Sequence, residues 1–253
     1  MKYEPIFLTY VEKANYTFSG WDFSFITKTG RIQSDCLPWS YASQLLPFIS
    51  YSKRMLDMGT GGGEFLSLMR PLPKEVYATE GYKPNIPIAI KHLQPLGVKV
   101  VGIEDDFNLP FQNAYFDLVT NHHESFIASE VRRIIRDKGL FITQQVGGLD
   151  CKEINEVFNM PLNDEYIGWN LDTAKNEIKN ADMDIIYSQE AFPIQRFYDV
   201  GALIYYLKAI PWQLPDFNVS NSLDQLYKIH TIIQSKGFFD VTQHRFIIKA
   251  IAK

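Results

Sequence analysis

Leu56-Asp57-Met58-Gly59-Thr60-Gly61-Gly62-Gly63-Glu64 runs from apolar, strand-type residues into a carboxylate and then into a glycine loop that opens a helix. A strand, a tight glycine turn and a helix N-terminus in that order make a nucleotide-cofactor loop. In dinucleotide sites the glycines bring backbone N–H groups up to an anionic pyrophosphate. Two residues argue against that ligand here. Asp57, two positions before the first glycine, would set a negative charge against the phosphates, and Glu64 stands where G-x-G-x-x-G needs its third glycine. A carboxylate at this place suits a ligand that carries positive charge and no phosphate. S-adenosylmethionine, with its α-ammonium and sulfonium, has that character and NAD does not.

Outward from the loop, apolar β-type runs alternate with helical ones, the signature of a parallel sheet covered by helices on both faces. Strands are expected at Arg54-Met58, Glu75-Thr79, Lys99-Ile103, Phe116-Asn121, Leu140-Gln145 and Asp184-Gln189. Helices are expected at Gly63-Met69, Pro84-Leu96, Ser125-Arg136 and Leu171-Asn180, with a weaker helical run at Glu153-Phe158. The ending departs from this rhythm: a helix over Ser222-Lys236 precedes a terminal strand, Arg245-Ala252, that fits an antiparallel insertion.

Glu80 closes the second strand about twenty residues after the loop, where a carboxylate accepts both hydroxyls of a ribose. The third strand ends near Glu104-Asp105-Asp106-Phe107. There Asp105 is placed to accept from an adenine amine, with the backbone of Asp106 and the ring of Phe107 lining the site.

These pieces, in this order, resemble the class I S-adenosylmethionine-dependent methyltransferases over most of the span from Leu56 to Gln145. The matching residues are Asp57-Met-Gly59-Thr-Gly61-Gly-Gly63, Glu80, Asp105 ahead of Leu109-Pro110-Phe111, Phe116-Asp117-Leu118-Val119, and the helix and strand Glu130-Val-Arg132-Arg-Ile-Ile-Arg136-Asp-Lys-Gly139-Leu-Phe-Ile. Asp137-Lys138-Gly139 replaces the P-G-G turn usual in that family. The resemblance implies a Rossmann-like, doubly wound α/β fold with a seven-stranded, mostly parallel sheet whose last strand is antiparallel. It implies S-adenosylmethionine as cofactor, S-adenosylhomocysteine as product, and Asp57, Gly59, Thr60, Gly61, Gly63, Glu80, Asp105, Asp106, Phe107 and Asn121 as its binding residues.

The acceptor is a separate question. Methyl transfer is an in-line displacement in which the enzyme chiefly positions a nucleophile, with a base needed only where the acceptor must lose a proton. Asn121-His122-His123-Glu124-Ser125, after strand four, holds the candidates: His122 or His123 as general base, with Glu124 orienting it or capping the next helix. Trp21, Trp39, Tyr41, Gln145, Tyr205 and Tyr206 are candidates for the acceptor pocket, since pockets for small organic molecules are mostly apolar. The same residue types also fill cores and bond loop backbone.

A chain of 253 residues that is 46% apolar can bury a full core, so one elaborated domain is expected. Its parts are an N-terminal arm (1–50), a cofactor-binding core (51–190), a lid insertion (191–220) and a completing segment (221–253). A net charge of -4 argues against a surface built to neutralise phosphates, so nucleic acid is an unlikely partner and a small-molecule acceptor the favoured one. Cys36 and Cys151 have no metal-type spacing, so neither a metal nor a disulfide is expected and a reducing compartment is. The start lacks the layout of a signal peptide, and the apolar run Val200 to Ile210 is too short to cross a bilayer, so a cytoplasmic protein without a membrane partner is expected. The readings kept beside small-molecule methylation are RNA or protein methylation and S-adenosylmethionine binding without turnover.

Overall fold

The strand Arg54–Met58 is buried on both faces from Met55 onward and lies between two parallel neighbours, and the rest of its sheet is assembled outward from it. The computed structural model describes residues 2–14 and 22–253. Its strands are β1 (Ile32–Ser34), β2 (Arg54–Met58), β3 (Glu75–Glu80), β4 (Val98–Gly102), β5 (Phe116–His122), β6 (Ile135–Val146), β7 (Met183–Ala191), β8 (Ile194–Phe197), β9 (Phe239–Thr242) and β10 (Arg245–Ala252). Its helices are α1 (Pro5–Lys13), α2 (Ser24–Thr27), α3 (Tyr41–Ile49), α4 (Glu64–Leu68), α5 (Ile86–Leu93), α6 (Ala128–Ile134), α7 (Lys152–Phe158), α8 (Leu171–Asn180), α9 (Val200–Ala209) and α10 (Leu223–Lys236).

Seven strands form one sheet in the order β4-β3-β2-β5-β6-β10-β7. β10 runs antiparallel to both β6 and β7, while β2 through β6 pair in parallel. This is the Rossmann-like sheet with one late antiparallel strand. Its order reverses between β2 and β5, and open α/β sheets bind ligands outside the carboxyl ends of strands at such a switch point. The glycine loop that follows β2 and the histidine pair that ends β5 therefore share one crevice edge. Leu56, Val119, Phe141, Phe246 and Ile248 are all fully buried in the core of this sheet.

Two motif residues gain a physical reason from the fold. Glu130, on α6, accepts the backbone N–H of Leu109 at 2.6 Å, and Arg133 one turn later donates to the carbonyls of Leu109 (2.9 Å) and Phe111 (2.7 Å) while pairing with Glu130. The pair clamps the Leu109-Pro110-Phe111 turn and so holds the loop that carries Asp105, Asp106 and Phe107. Asp117 accepts the backbone N–H groups of Lys53 and Arg54, both at 2.8 Å, and seats the first residue of β2.

The helix expected over Ser125-Arg136 is shorter, and the strand after it longer, than the sequence pattern indicates. Ile135 already pairs with Phe116, and a register shift with Lys138 at φ 62 absorbs Arg136-Asp137-Lys138 into β6. Gly139 is fixed there by crowding, because a Cβ would lie 2.8 Å from the Arg136 carbonyl and 3.2 Å from that of Asp117. On the far side of the sheet's sequence, Asn170 caps α8, its side chain accepting from Thr173 N–H at 3.0 Å. Asn170→Ala is expected to lower stability by about 1 kcal/mol, read as a lower midpoint in urea with an unchanged slope.

Contacts divide the chain into two compact units. One holds residues 38–147, 169–191 and 245–253, and with them the seven-stranded sheet. The other holds residues 2–14, 22–37, 148–168 and 192–244, and with them the antiparallel sheet β1-β8-β9. These bounds differ from the segments read in sequence: residues 38–50 go with the sheet unit, and 148–168 and 221–244 go with the second unit. In the second unit α9 is buried on nearly its whole circumference. Asp199 caps it by accepting Ala202 N–H at 2.9 Å and takes a bidentate bond from Arg31 at 2.8 and 2.6 Å. No helix among the described residues is long and apolar enough to cross a membrane.

Candidate functional site

The glycine loop leaves β2 with Gly59 at φ 64 and enters α4 with Gly63 at φ 83, the left-handed backbone that glycine adopts without strain. A side chain at Gly59 would also collide with Cβ and Cγ of Glu124. At Gly63 a Cβ would lie 2.6 Å from Leu93, so the glycine lets α4 and α5 approach closely. Three bonds tie the loop down. Thr60 N–H donates to the Thr79 carbonyl at 2.9 Å, Gly61 N–H donates to Glu80 Oε2 at 2.7 Å, and His92 Nδ1 donates to the Gly62 carbonyl at 2.7 Å. His92, which looks ordinary in the sequence, thus supports the loop. Its place in the last turn of α5 gives no local hint of that role.

Four carboxylates stand around this loop. Asp57 is buried at the end of β2 and accepts the Thr120 hydroxyl at 2.8 Å. Burial pushes its carboxyl up to about 6, against the lowering bond from Thr120. Glu80 is raised as well, by burial and by Glu64, although it accepts Gly61 N–H and, through Oε1, Tyr82 N–H at 2.7 Å. Asp106 is raised by burial and by Asp105, and it accepts the Ser125 hydroxyl at 2.6 Å. Glu124 is pushed to about 7 by burial and by the charges of Asp106 and Glu80. None of the four has a Lys or Arg ion-pair partner among the described residues. Buried like charges without a counter-ion favour protonation, and a cation bound among them would reverse that.

The sequence of the span that builds this geometry matches a family model described as methyltransferase domain, over residues 56–143. Residues 56–143 are thus similar to a methyltransferase domain. Among solved structures of the same fold, a Bacillus halodurans C-125 protein provisionally described as a methyltransferase is 14% identical, with 84% of this chain and 99% of that one covered at a TM-score of 0.60. A functionally unknown protein from Deinococcus radiodurans R1 is 11% identical over 97% of this chain and 100% of its own, with a TM-score of 0.59. The [4+2]-cyclase SpnF is 11% identical over 98% and 91%, with a TM-score of 0.51. At these identities the likeness is one of fold alone. A search of curated proteins found no match.

Within residues 56–143, Asp57, Gly59, Thr60, Gly61, Gly63, Glu80, Asp106 and Glu124 come together around the loop. Asp105 is exposed and accepts Phe107 N–H at 2.9 Å, and the Phe107 ring is 74% exposed. Asn121 and Gln145 are committed to the scaffold. Asn121 Oδ1 accepts from Thr143 (3.0 Å) and Gln145 (2.7 Å), its amide donates to the Ser125 carbonyl, and Gln145 also bonds Glu124 O and Trp169. Trp39 and Tyr41 pack at the histidine pair: Tyr41 lies 4.5 Å from His122 at an interplanar angle of 11°, and its hydroxyl donates to the Asn121 carbonyl at 3.0 Å. His122 and His123 have their rings 4.2 Å apart. Both are held below the ordinary histidine range, His122 at about 4, by burial and by the nearby charge of Arg245.

The remaining pocket candidates are elsewhere. Tyr205 and Tyr206 are core residues of the second unit, buried on α9 against Phe25 and Phe197 respectively. Trp21 lies outside the described residues. Ser125 and Thr120, which the sequence did not single out, are bonded to Asp106 and Asp57 and complete the ring of polar groups around the loop.

Proposed function

We propose that this chain transfers the methyl group of S-adenosylmethionine to a small, partly apolar or aromatic acceptor. The observation that carries the reading is the set of unpaired carboxylates Asp57, Glu80, Asp106 and Glu124 around a glycine loop at the switch point of the sheet. Their charge is wrong for a pyrophosphate and right for an ammonium and a sulfonium. Asp57 and Glu124 supply the negative field for the cationic end. Glu80 has both oxygens engaged by backbone N–H groups, yet each keeps a lone pair for a ribose hydroxyl. Asp105 and the exposed ring of Phe107 serve the adenine.

When bound, the cofactor supplies an electrophilic methyl on sulfur. The protein's part is to hold the acceptor in line and to take a proton where the acceptor must lose one. Glu124, raised to about 7, is the side chain tuned for that proton near neutral pH. The histidines are neutral and bonded through Nε2, which suits positioning better than proton abstraction. Net charge of -4 and the acidic cluster favour a small acceptor over RNA.

Incubation with methyl-tritiated S-adenosylmethionine and a whole-cell extract, followed by ultrafiltration, tests the reading. Label in an organic-soluble, low-mass product supports it. Label retained with RNA or protein, or none transferred, contradicts it.

A further inference from the structure

Gln144 sits on β6 opposite His122 on β5, almost wholly buried, with its amide between three ring nitrogens. Trp39 Nε1 is 2.7 Å from Gln144 Oε1. An indole N–H only donates, so the amide oxygen must face Trp39 and the NH2 must face away from it. That NH2 lies 3.0 Å from His122 Nε2 and 2.9 Å from His123 Nε2. Two hydrogens meet two ring nitrogens, and each nitrogen must then offer a lone pair. A neutral imidazole that accepts at Nε2 carries its proton at Nδ1. A charged ring would turn N–H against N–H.

We propose that Gln144, oriented by Trp39, is a positioning residue that fixes His122 and His123 as neutral Nδ1–H imidazoles, so that both present hydrogen-bond donors, and no basic lone pair, to the methyl acceptor. Neither Nδ1 has a hydrogen-bond partner among the described residues, and neither is among the fully enclosed, unpartnered atoms. The rings are held in place: His122 is stacked on Tyr41 and flanked by Phe65 at 5.0 Å, and His123 N–H is anchored to the Gln144 carbonyl at 2.8 Å with φ 63. The positive charge of Arg245 acts on both rings and adds to the preference for an electron-rich group in front of them. The acceptor therefore brings an oxygen, as carboxylate, carbonyl or phenolate, to this edge. This last step rests on the methyl-transfer reading; the tautomer assignment does not.

Long-range ¹H–¹⁵N correlation spectra at neutral pH read the tautomers directly, with His122→Asn and His123→Asn variants assigning the signals. The expected spectrum shows both residues protonated at Nδ1 and unprotonated at Nε2. Gln144→Glu, which replaces the donor with an acceptor, is expected to move the proton to Nε2, and Gln144→Leu to leave a mixture of tautomers. Either histidine protonated at Nε2 in the wild type overturns the proposal, and so does a pattern that Gln144→Glu leaves unchanged in a variant whose thermal midpoint shows it folded. Benzoate added with S-adenosylhomocysteine is expected to shift both Nδ1 signals, and benzylamine to leave them in place. The reverse, or no shift with benzoate, overturns the donor role. Failure of S-adenosylhomocysteine to bind would instead contradict the methyl-transfer reading and leave the tautomers standing.

Discussion

Asp57→Asn is expected to make the ligand-free protein more stable at pH about 8 and, in the same variant, to weaken S-adenosylmethionine. Burial lifts the Asp57 carboxyl from 3.8 to about 6. The folded state therefore favours the protonated form. That preference is fully present below the unfolded value, and it is lost as pH rises through the folded one. Above neutrality the ionised side chain costs roughly two units at about 1.4 kcal/mol each, or about 2–3 kcal/mol. Asparagine keeps an oxygen for the Thr120 hydroxyl and carries no charge. Its advantage should open between about pH 4 and pH 6, level off above about pH 7, and shrink toward acid. Comparing variant with wild type at each pH also cancels the buried histidines, whose depressed values act in the opposite direction. The loss in S-adenosylmethionine affinity should be roughly 10- to 150-fold, the scale of a hydrogen bond to a charged group. Urea unfolding and calorimetry read the two effects separately. A variant less stable at pH about 8, with affinity unchanged, would contradict the account.

Gly59→Ala should cost more than any other single methyl added to the loop. The left-handed backbone at φ 64 charges alanine about 1–2 kcal/mol. The new Cβ would also collide with Cβ and Cγ of Glu124. Those are the near atoms of the side chain, so a change of rotamer at the carboxyl end does not clear them. Overpacking of this kind adds about 1–3 kcal/mol. The expected sum is roughly 2–5 kcal/mol of stability, together with loss of measurable S-adenosylmethionine binding because Glu124 and the loop are forced apart. The thermal midpoint and a binding titration check it, and wild-type affinity in the variant would show that the loop is not where the cofactor lies. Gly97, which has nothing within 4 Å of the same position, is the control for left-handed strain without crowding.

The sheet was largely legible because the signals for it are local. β2 and β10 begin and end where the apolar pattern does, and the strand order follows from alternating strands and helices. The placement of Asp57 and Glu80 beside the glycine loop was legible because each stands at a fixed spacing from that loop, at the end of a strand that neighbours it. Four kinds of feature were not. The start of β6 was hidden because the Arg136-Asp137-Lys138 bulge reads as a turn. The sheet β1-β8-β9 has strands of three and four residues that come from distant parts of the chain, too short to show a period. Helix α9 is buried except at Lys208, so it has no polar stripe, and Tyr205 and Tyr206 within it read as pocket residues when they are core. The amide relay through Trp39, Gln144 and the histidines joins residues 105 positions apart and leaves no sequence signature.

Calorimetric titration with S-adenosylmethionine, S-adenosylhomocysteine and NAD, repeated in buffers of different ionisation enthalpy, tests the central claim most directly. The carboxylates Asp57 and Glu124, at about 6 and about 7, must be ionised to hold a cation. S-adenosylmethionine is expected to bind with release of protons to the buffer near pH about 6.5, and its affinity to rise between about pH 5.5 and about pH 7.5. S-adenosylhomocysteine, which lacks the sulfonium charge, should bind with a shallower dependence, and NAD should not bind. Tight binding of NAD without S-adenosylmethionine, or S-adenosylmethionine affinity that is flat across that range with no proton released, would contradict the account.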